Sequence, residues 1–264
     1  MANNNQAILA SVAAAATLTA PVHAQTASTD TRPAENIVLV HGAFADGSGW
    51  RAVYDELTQR GYRVTIVQNP LTSLADDVAS TRRVLDRQDG PTILVGHSWG
   101  GTVITEAGTH PNVVGLVYVS AIAPDAGEST AQQYQGFAPT PEFVIDIQKD
   151  GFGFLNLQKF KAGFAHDVSD ADAAFLRDSQ VPISMSVFET RLKNAAWRTR
   201  PSWAVIATED KAFDQAMLLS MAKRIGADVT KVSASHAVFM TQPKVVADTI
   251  DRAAKEAGAK AKQH

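Results

Sequence analysis

Cysteine is absent from all 264 residues, which removes disulfide frameworks, thiol nucleophiles and thiolate metal sites at one stroke. Charge of a single sign is missing as well. The chain carries 24 Lys and Arg against 27 Asp and Glu, a formal net charge of -3, and its one basic block is the short tail from Lys255 to Lys262. A nucleic-acid partner requires a basic face, so that class is set aside. Long apolar runs are also lacking: the stretch Ala7 to Leu18 falls short of the roughly 20 residues a permanent membrane anchor needs.

What is present is a composition for one sizeable core, 45% hydrophobic and 19% charged, which fits a single α/β domain. Ahead of it, Met1 to Ala24 places the apolar stretch before Pro21-Val22-His23-Ala24, with small residues where a signal peptidase reads. Residues 1–24 are therefore expected to be a secretory signal peptide and the protein periplasmic or secreted, although the first six residues lack the usual Lys or Arg. Gln25 to Glu35, polar and Pro-containing, reads as a flexible lead-in, and the domain is expected over 36–264.

Continuous apolar runs at Ile37 to Val40, Arg63 to Val67, Thr92 to Val95, Val113 to Val119 and Ser202 to Ala207 mark strands buried on both faces. Val229 to Val232 adds a further strand. Helical patterns lie between them. Trp50, Val53 and Leu57 share a face before Gly61, and Leu74, Val78 and Leu85 share one behind Ser73 as N-cap. Met217, Met221 and Ile225 align before Gly226, and a last helix starts at Pro243. Strands alternating with helices imply crossover connections and a doubly wound, mostly parallel sheet. The alternation breaks over about 123–200, a segment without strand-like runs that holds eight of the eleven Phe residues. This segment is expected to be an inserted helical lid, most of whose Phe side chains build its own core while a few face a pocket.

The motif Gly96-His97-Ser98-Trp99-Gly100 follows an apolar strand and opens a helix, the setting in which a G-x-S-x-G serine is exposed on a sharp turn. Ser98 is thus the expected nucleophile. A serine hydroxyl needs an imidazole to take its proton and a carboxylate to fix that imidazole. Of seven histidines, His236 alone follows a late strand at the expected edge of the sheet. His41 reads as structural, His97 as pointing away, His110 as a helix-end residue and His166 as part of the lid. Asp210 follows the strand at Ser202 to Ala207 and leads as the acid, with Glu209 and Asp214 as its neighbours. The Trp99 backbone N–H is the first expected oxyanion donor. A second is expected from the loop His41-Gly42-Ala43-Phe44, with Ala43 ahead of Phe44. Asp46 and Ser48 read as turn and cap residues.

Three stretches, H-G-A-F-A-D-G-S-G-W at 41–50, G-H-S-W-G-G at 96–101 and S-H-A-V-F at 235–239, resemble the α/β-hydrolase superfamily. Within it the chain is similar to small bacterial carboxylesterases related to the plant methylesterase and hydroxynitrile lyase group. The resemblance implies the α/β-hydrolase fold, a triad of Ser98, Asp210 and His236, an oxyanion hole of Ala43 and Trp99, and no cofactor or metal. The lyases of that group carry a Thr where this chain has Gly42 and a Lys where it has Ala237, and the lysine offsets the charge of departing cyanide. Haloalkane dehalogenases carry an Asp where Ser98 stands. The expected activity is therefore hydrolysis of small carboxylic esters with a mainly apolar group, Phe44 and Phe239 contacting substrate. A cofactor-free lyase or perhydrolase and a non-catalytic small-ligand receptor are the alternatives.

Overall fold

The computed structural model describes residues 33–260; the expected signal peptide at 1–24 and most of the lead-in lie outside the described residues. The domain opens with β1 (Asn36–Val40), α1 (Arg51–Gln59), β2 (Arg63–Val67), α2 (Leu74–Leu85), β3 (Thr92–His97), α3 (Trp99–Ala107) and β4 (Val113–Val119). Ser73 caps α2 by accepting from the Asp76 N–H at 3.0 Å, as its position before an apolar period requires. Asp46 likewise accepts from the Ser48 N–H at 2.8 Å ahead of the 3₁₀ turn Gly47–Trp50.

The insertion follows β4. It contains β5 (Ile145–Ile147), β6 (Phe152–Leu155), α4 (Phe160–Phe164), α5 (Asp170–Asp178) and β7 (Ile183–Ser184), with short 3₁₀ turns between. It is helical in part only, because β5, β6 and β7 form a three-stranded antiparallel sheet. These strands are two to four residues long and half exposed, so they carry none of the continuous apolar pattern that marks the strands of the main sheet.

The main domain then resumes with β8 (Ser202–Ala207), α6 (Gln215–Arg224), β9 (Asp228–Val232), α7 (Val238–Thr241) and α8 (Pro243–Lys260). Six strands form one sheet in the order β2-β1-β3-β4-β8-β9, each neighbouring pair parallel. Every residue of β1, β3 and β8 is buried, since helices cover both faces of such a sheet. The edge strands β2 and β9 are mostly half-buried or exposed. The chain runs outward from β1 to β2 and returns to β3 on the other side of β1. That reversal opens a crevice at the carboxyl ends of β1 and β3, where ligands bind in sheets of this type.

The insertion is fastened to the main domain by buried polar contacts. Glu106 on α3 accepts from the Lys193 N–H at 2.7 Å, the Asn194 N–H at 3.0 Å and the Asn194 side-chain amide at 2.7 Å. A Glu106→Ala substitution leaves three donors without their acceptor at a partly buried site and is expected to cost about 1–3 kcal/mol. Urea denaturation followed by circular dichroism checks this, with a lower midpoint as the expected outcome.

Candidate active site

Ser98 stands between the last residue of β3 and the first of α3, and the handover forces its backbone to φ 54° and ψ -122°, a region that L-residues avoid. Its N–H donates to the Val119 carbonyl at 3.2 Å, and its own carbonyl accepts from Gly101 at 2.9 Å and Ile122 at 3.3 Å. The neighbouring backbone is packed so closely that two glycines are obligatory. A Cβ on Gly42 would lie 2.8 Å from the Ser98 Cβ, and one on Gly100 would lie 2.6 Å from the Val40 carbonyl oxygen. The loop after β1 is thereby pressed against the serine, which brings Ala43 and Trp99 to the same cavity wall. Trp99, as the first residue of α3, presents a backbone N–H that the helix does not itself satisfy.

Asp210 and His236 emerge beyond β8 and β9 and meet side by side. The His236 Nδ1–H donates to Asp210 Oδ2 at 2.7 Å, with both side chains fully buried. The other carboxylate oxygen, Oδ1, accepts from the backbone N–H groups of Ala212 at 2.8 Å and Phe213 at 3.0 Å. These bonds fix the acid and dictate the imidazole tautomer, leaving Nε2 as the acceptor nitrogen. That Nε2 is buried and has no partner among the described residues. Edge-to-face aromatic rings enclose the imidazole: Phe213 at 4.9 Å, Phe164 at 5.1 Å and Phe143 at 6.2 Å between centroids. Phe143 and Phe213 also line the cavity that holds Ser98.

The competing residues are engaged elsewhere. Glu209 accepts from the Ser233 hydroxyl, and Asp214 caps α6. His110 bonds to Asp86 at 3.0 Å rather than to the carbonyls of its helix end. His166 donates to the Glu209 carbonyl at 3.0 Å. His41 is structural: its Nδ1–H donates to the Gly42 carbonyl at 2.9 Å and its Nε2 accepts from the Asn69 N–H at 2.9 Å.

His97, read from the sequence as pointing away, does so only with respect to the cavity. Its Nε2–H donates to the His236 carbonyl at 2.9 Å, and its ring packs 4.6 Å from that of His236. Nothing in a G-x-S-x-G pattern marks the x as a support for a distant histidine; only the fold brings 97 to 236.

The cavity has a volume of about 200 Å³. Its wall is apolar, with Phe44, Phe143, Phe188 and Phe213 prominent, and its lining residues carry three polar side-chain groups, the hydroxyls of Ser98 and Tyr134 and the indole N–H of Trp99, which is bonded to Asp77, and no charged one. Phe44 is at the wall as expected, with φ 61°. Phe239 is not. Its ring lies 5.3 Å from Trp50 and 4.6 Å from His97, and it is pressed against Gly49, so it braces the loop after β1 from behind. Two lid aromatics, Phe143 and Phe188, take the place the sequence reading gave to it.

Burial holds His97 well below the ordinary histidine value, with His236 adding to the effect, and burial likewise lowers His41. A histidine depressed in the folded state takes up its proton first in the unfolded chain, so its contribution to stability is present above about pH 6.5 and is lost as pH falls below it. Asp77, pushed up to about 6 by burial, works in the opposite direction between about pH 4 and 6, one carboxyl against two imidazoles. Stability is therefore expected to fall as pH drops from 7 to 5. Urea midpoints across that range check it, and His97→Gln is expected to flatten the slope.

The model of the alpha/beta hydrolase family matches residues 37–249. The chain is 27% identical over 246 residues to alpha/beta hydrolase nvfD of Aspergillus novofumigatus, covering 84% of this chain and 97% of that protein. It is 30% identical over 245 residues to a pyrethroid hydrolase of Sphingobium wenxiniae, covering 81% and 86%. In fold it is similar to the crystal structure of a pyrethroid hydrolase from Sphingobium faniae, with a TM-score of 0.71, 24% identity and coverage of 83% and 96%. With the matched region spanning β1 to α8, the chain belongs to the alpha/beta hydrolase family, as a hydrolase of the esterase type.

Proposed function

We propose that the protein is a serine esterase for neutral small-molecule esters with an apolar acyl or alcohol group, acting through Ser98, His236 and Asp210. The observation that carries this reading is the buried His236–Asp210 pair, whose free Nε2 lies behind two Phe rings that share a cavity wall with Ser98. Ser98 Oγ attacks the ester carbonyl while His236 Nε2 takes its proton, and Asp210 stabilises the imidazolium. The carbonyl oxygen becomes an oxyanion that the backbone N–H groups of Trp99 and Ala43 receive, each such donor being worth on the order of 3 kcal/mol of barrier. Collapse expels the alcohol, which takes the proton from His236. Water then attacks the acyl-enzyme with the same imidazole as base and releases the acid.

Substrate class follows from the wall. A cavity with no charged lining residue penalises an ionised acyl group, because a buried charge without a partner is expensive. Its volume of about 200 Å³ is below the roughly 300–1,000 Å³ of sites that enclose a whole drug-sized ligand, so one half of the ester fills it and the other extends toward the mouth. Cyanide release is disfavoured: Ala237 is fully buried and uncharged, and position 42 has no room for a side chain.

Ser98→Ala is expected to lower turnover of p-nitrophenyl esters at least about a thousandfold, and an organophosphonate should label Ser98 in the unsubstituted protein, as read by peptide mass. Asp210→Asn is expected to lose orders of magnitude in kcat with the fold retained. Turnover kept in Ser98→Ala would overturn the mechanism. Export of the chain is part of the same proposal, motivated by residues 1–24, and mass measurement of the mature N-terminus checks it, an intact Met1 being the contrary outcome.

A further inference from the structure

Asp77 lies on α2, fully buried, and no salt bridge reaches it among the described residues. It has two partners. Its Oδ2 accepts from the Trp99 indole Nε1–H at 2.8 Å, and its Oδ1 accepts from the Leu71 N–H at 2.8 Å. Burial pushes its carboxyl up to about 6, with Asp76 adding to that and the two hydrogen bonds opposing it. A buried carboxylate without a counterion is costly. An apolar residue would accept neither bond, and an amide in the same place would set its NH2 donor against one of the two N–H groups, which meet separate oxygens.

What the two bonds hold explains the cost. Trp99 directly follows Ser98, its ring forms part of the cavity wall, and Phe188 of the lid packs edge-on against it at 5.5 Å. Leu71 sits at φ 58°, a strained position for a branched side chain, and its carbonyl accepts from the Ser184 N–H on β7 at 2.9 Å. One carboxylate therefore joins the residue after the nucleophile to the loop that bonds to the lid's edge strand β7.

We propose that Asp77 is a positioning residue for ester hydrolysis: by clamping the Trp99 indole to the lid-bearing loop, it aims the Trp99 backbone N–H at the oxyanion. This rests on the serine mechanism above. A donor misaimed by a fraction of an ångström loses transition-state stabilisation while ground-state binding in the apolar cavity is unaffected. The effect therefore belongs in kcat and not in KM.

The test measures kcat and KM for a p-nitrophenyl ester, and thermal unfolding, in Asp77→Asn, Trp99→Phe and the double variant. Asp77→Asn is expected to lower kcat at least about tenfold with KM within about threefold. Trp99→Phe, which removes the indole N–H and keeps an aromatic ring, is expected to do the same. The double variant is expected to be no slower than the slower single one, since both changes break one bond. A folded Asp77→Asn protein with unchanged kcat and only a lowered Tm would overturn the proposal, as would fully additive losses. Should Asp77→Asn fail to fold, Trp99→Phe decides alone: wild-type kcat there overturns the proposal. Ser98→Ala is run beside them. If it keeps turnover the serine mechanism falls and this proposal with it, whereas an inactive Ser98→Ala beside full kcat in Asp77→Asn overturns the positioning role only.

Discussion

The backbone of Ser98, held at φ 54° and ψ -122°, is the constraint on which the site depends. A residue in such a conformation costs of order 1–3 kcal/mol and persists only where its surroundings leave no alternative. Here three segments do so. β4 and the segment after it bond to both backbone groups of Ser98, the loop after β1 closes to within van der Waals distance at Gly42, and α3 begins at the very next residue. The result lifts the hydroxyl above the sheet edge while the first N–H of a helix points outward beside it. Neither feature would exist if β3 ran on in an ordinary strand conformation.

Around His236 the same economy operates through exclusion of water. The imidazole is enclosed by Phe rings and His97, and its one strong electrostatic partner is Asp210. In the proposed mechanism, so dry a setting lets the carboxylate stabilise a developing imidazolium far more than it would in water. Keeping His97 neutral matters for the same reason, since a second cation 4.6 Å away would oppose protonation of the proposed base. Burial enforces that neutrality. The base loop is pinned on both sides: Asp167 accepts from the Ser235 N–H at 2.9 Å, and the Phe164 carbonyl accepts from the Ala237 N–H at 3.1 Å.

Much of this was legible in the residues. β4 and β8 coincide with their apolar runs and β1 and β3 differ by one or two residues at an end, because strands buried on both faces write their burial directly into sequence; β2 and β9 also match to within a residue, yet as edge strands they are not buried on both faces as the sequence suggested for β2. The sharp turn at Ser98 was legible because it demands small neighbours, and the places of His236 and Asp210 because they sit beyond late strands. Other features were not. The lid strands are short and half exposed, so they lack a pattern. Phe239 looked like a substrate contact by its nearness in sequence to His236, yet α7 turns it back onto Trp50 and His97. Nothing in the sequence distinguishes Asp77 from Asp76, the other acid in the first turn of α2. The burial of Asp77 and its bond to an indole 22 residues away are properties of how α2 packs on α3, which no local pattern encodes.

The lid and the catalytic edge are one mechanical unit. Glu106 on α3 holds the lid's returning end, Leu71 holds its edge strand β7, and Asp167 and Phe164 in turn hold the His236 loop. Each of these bonds uses backbone groups of the lid or of the loop it meets, so the roof stays in place whatever its inward side chains are. Tyr134, Phe143, Ile145 and Phe188, which face the cavity from the lid, take no part in these anchoring bonds. The fold thus divides the labour physically. Backbone hydrogen bonds and carboxylates fix the places of Ser98 and His236, while side chains on the inserted segment set the shape and polarity of the cavity wall, and exchanging the second need not disturb the first.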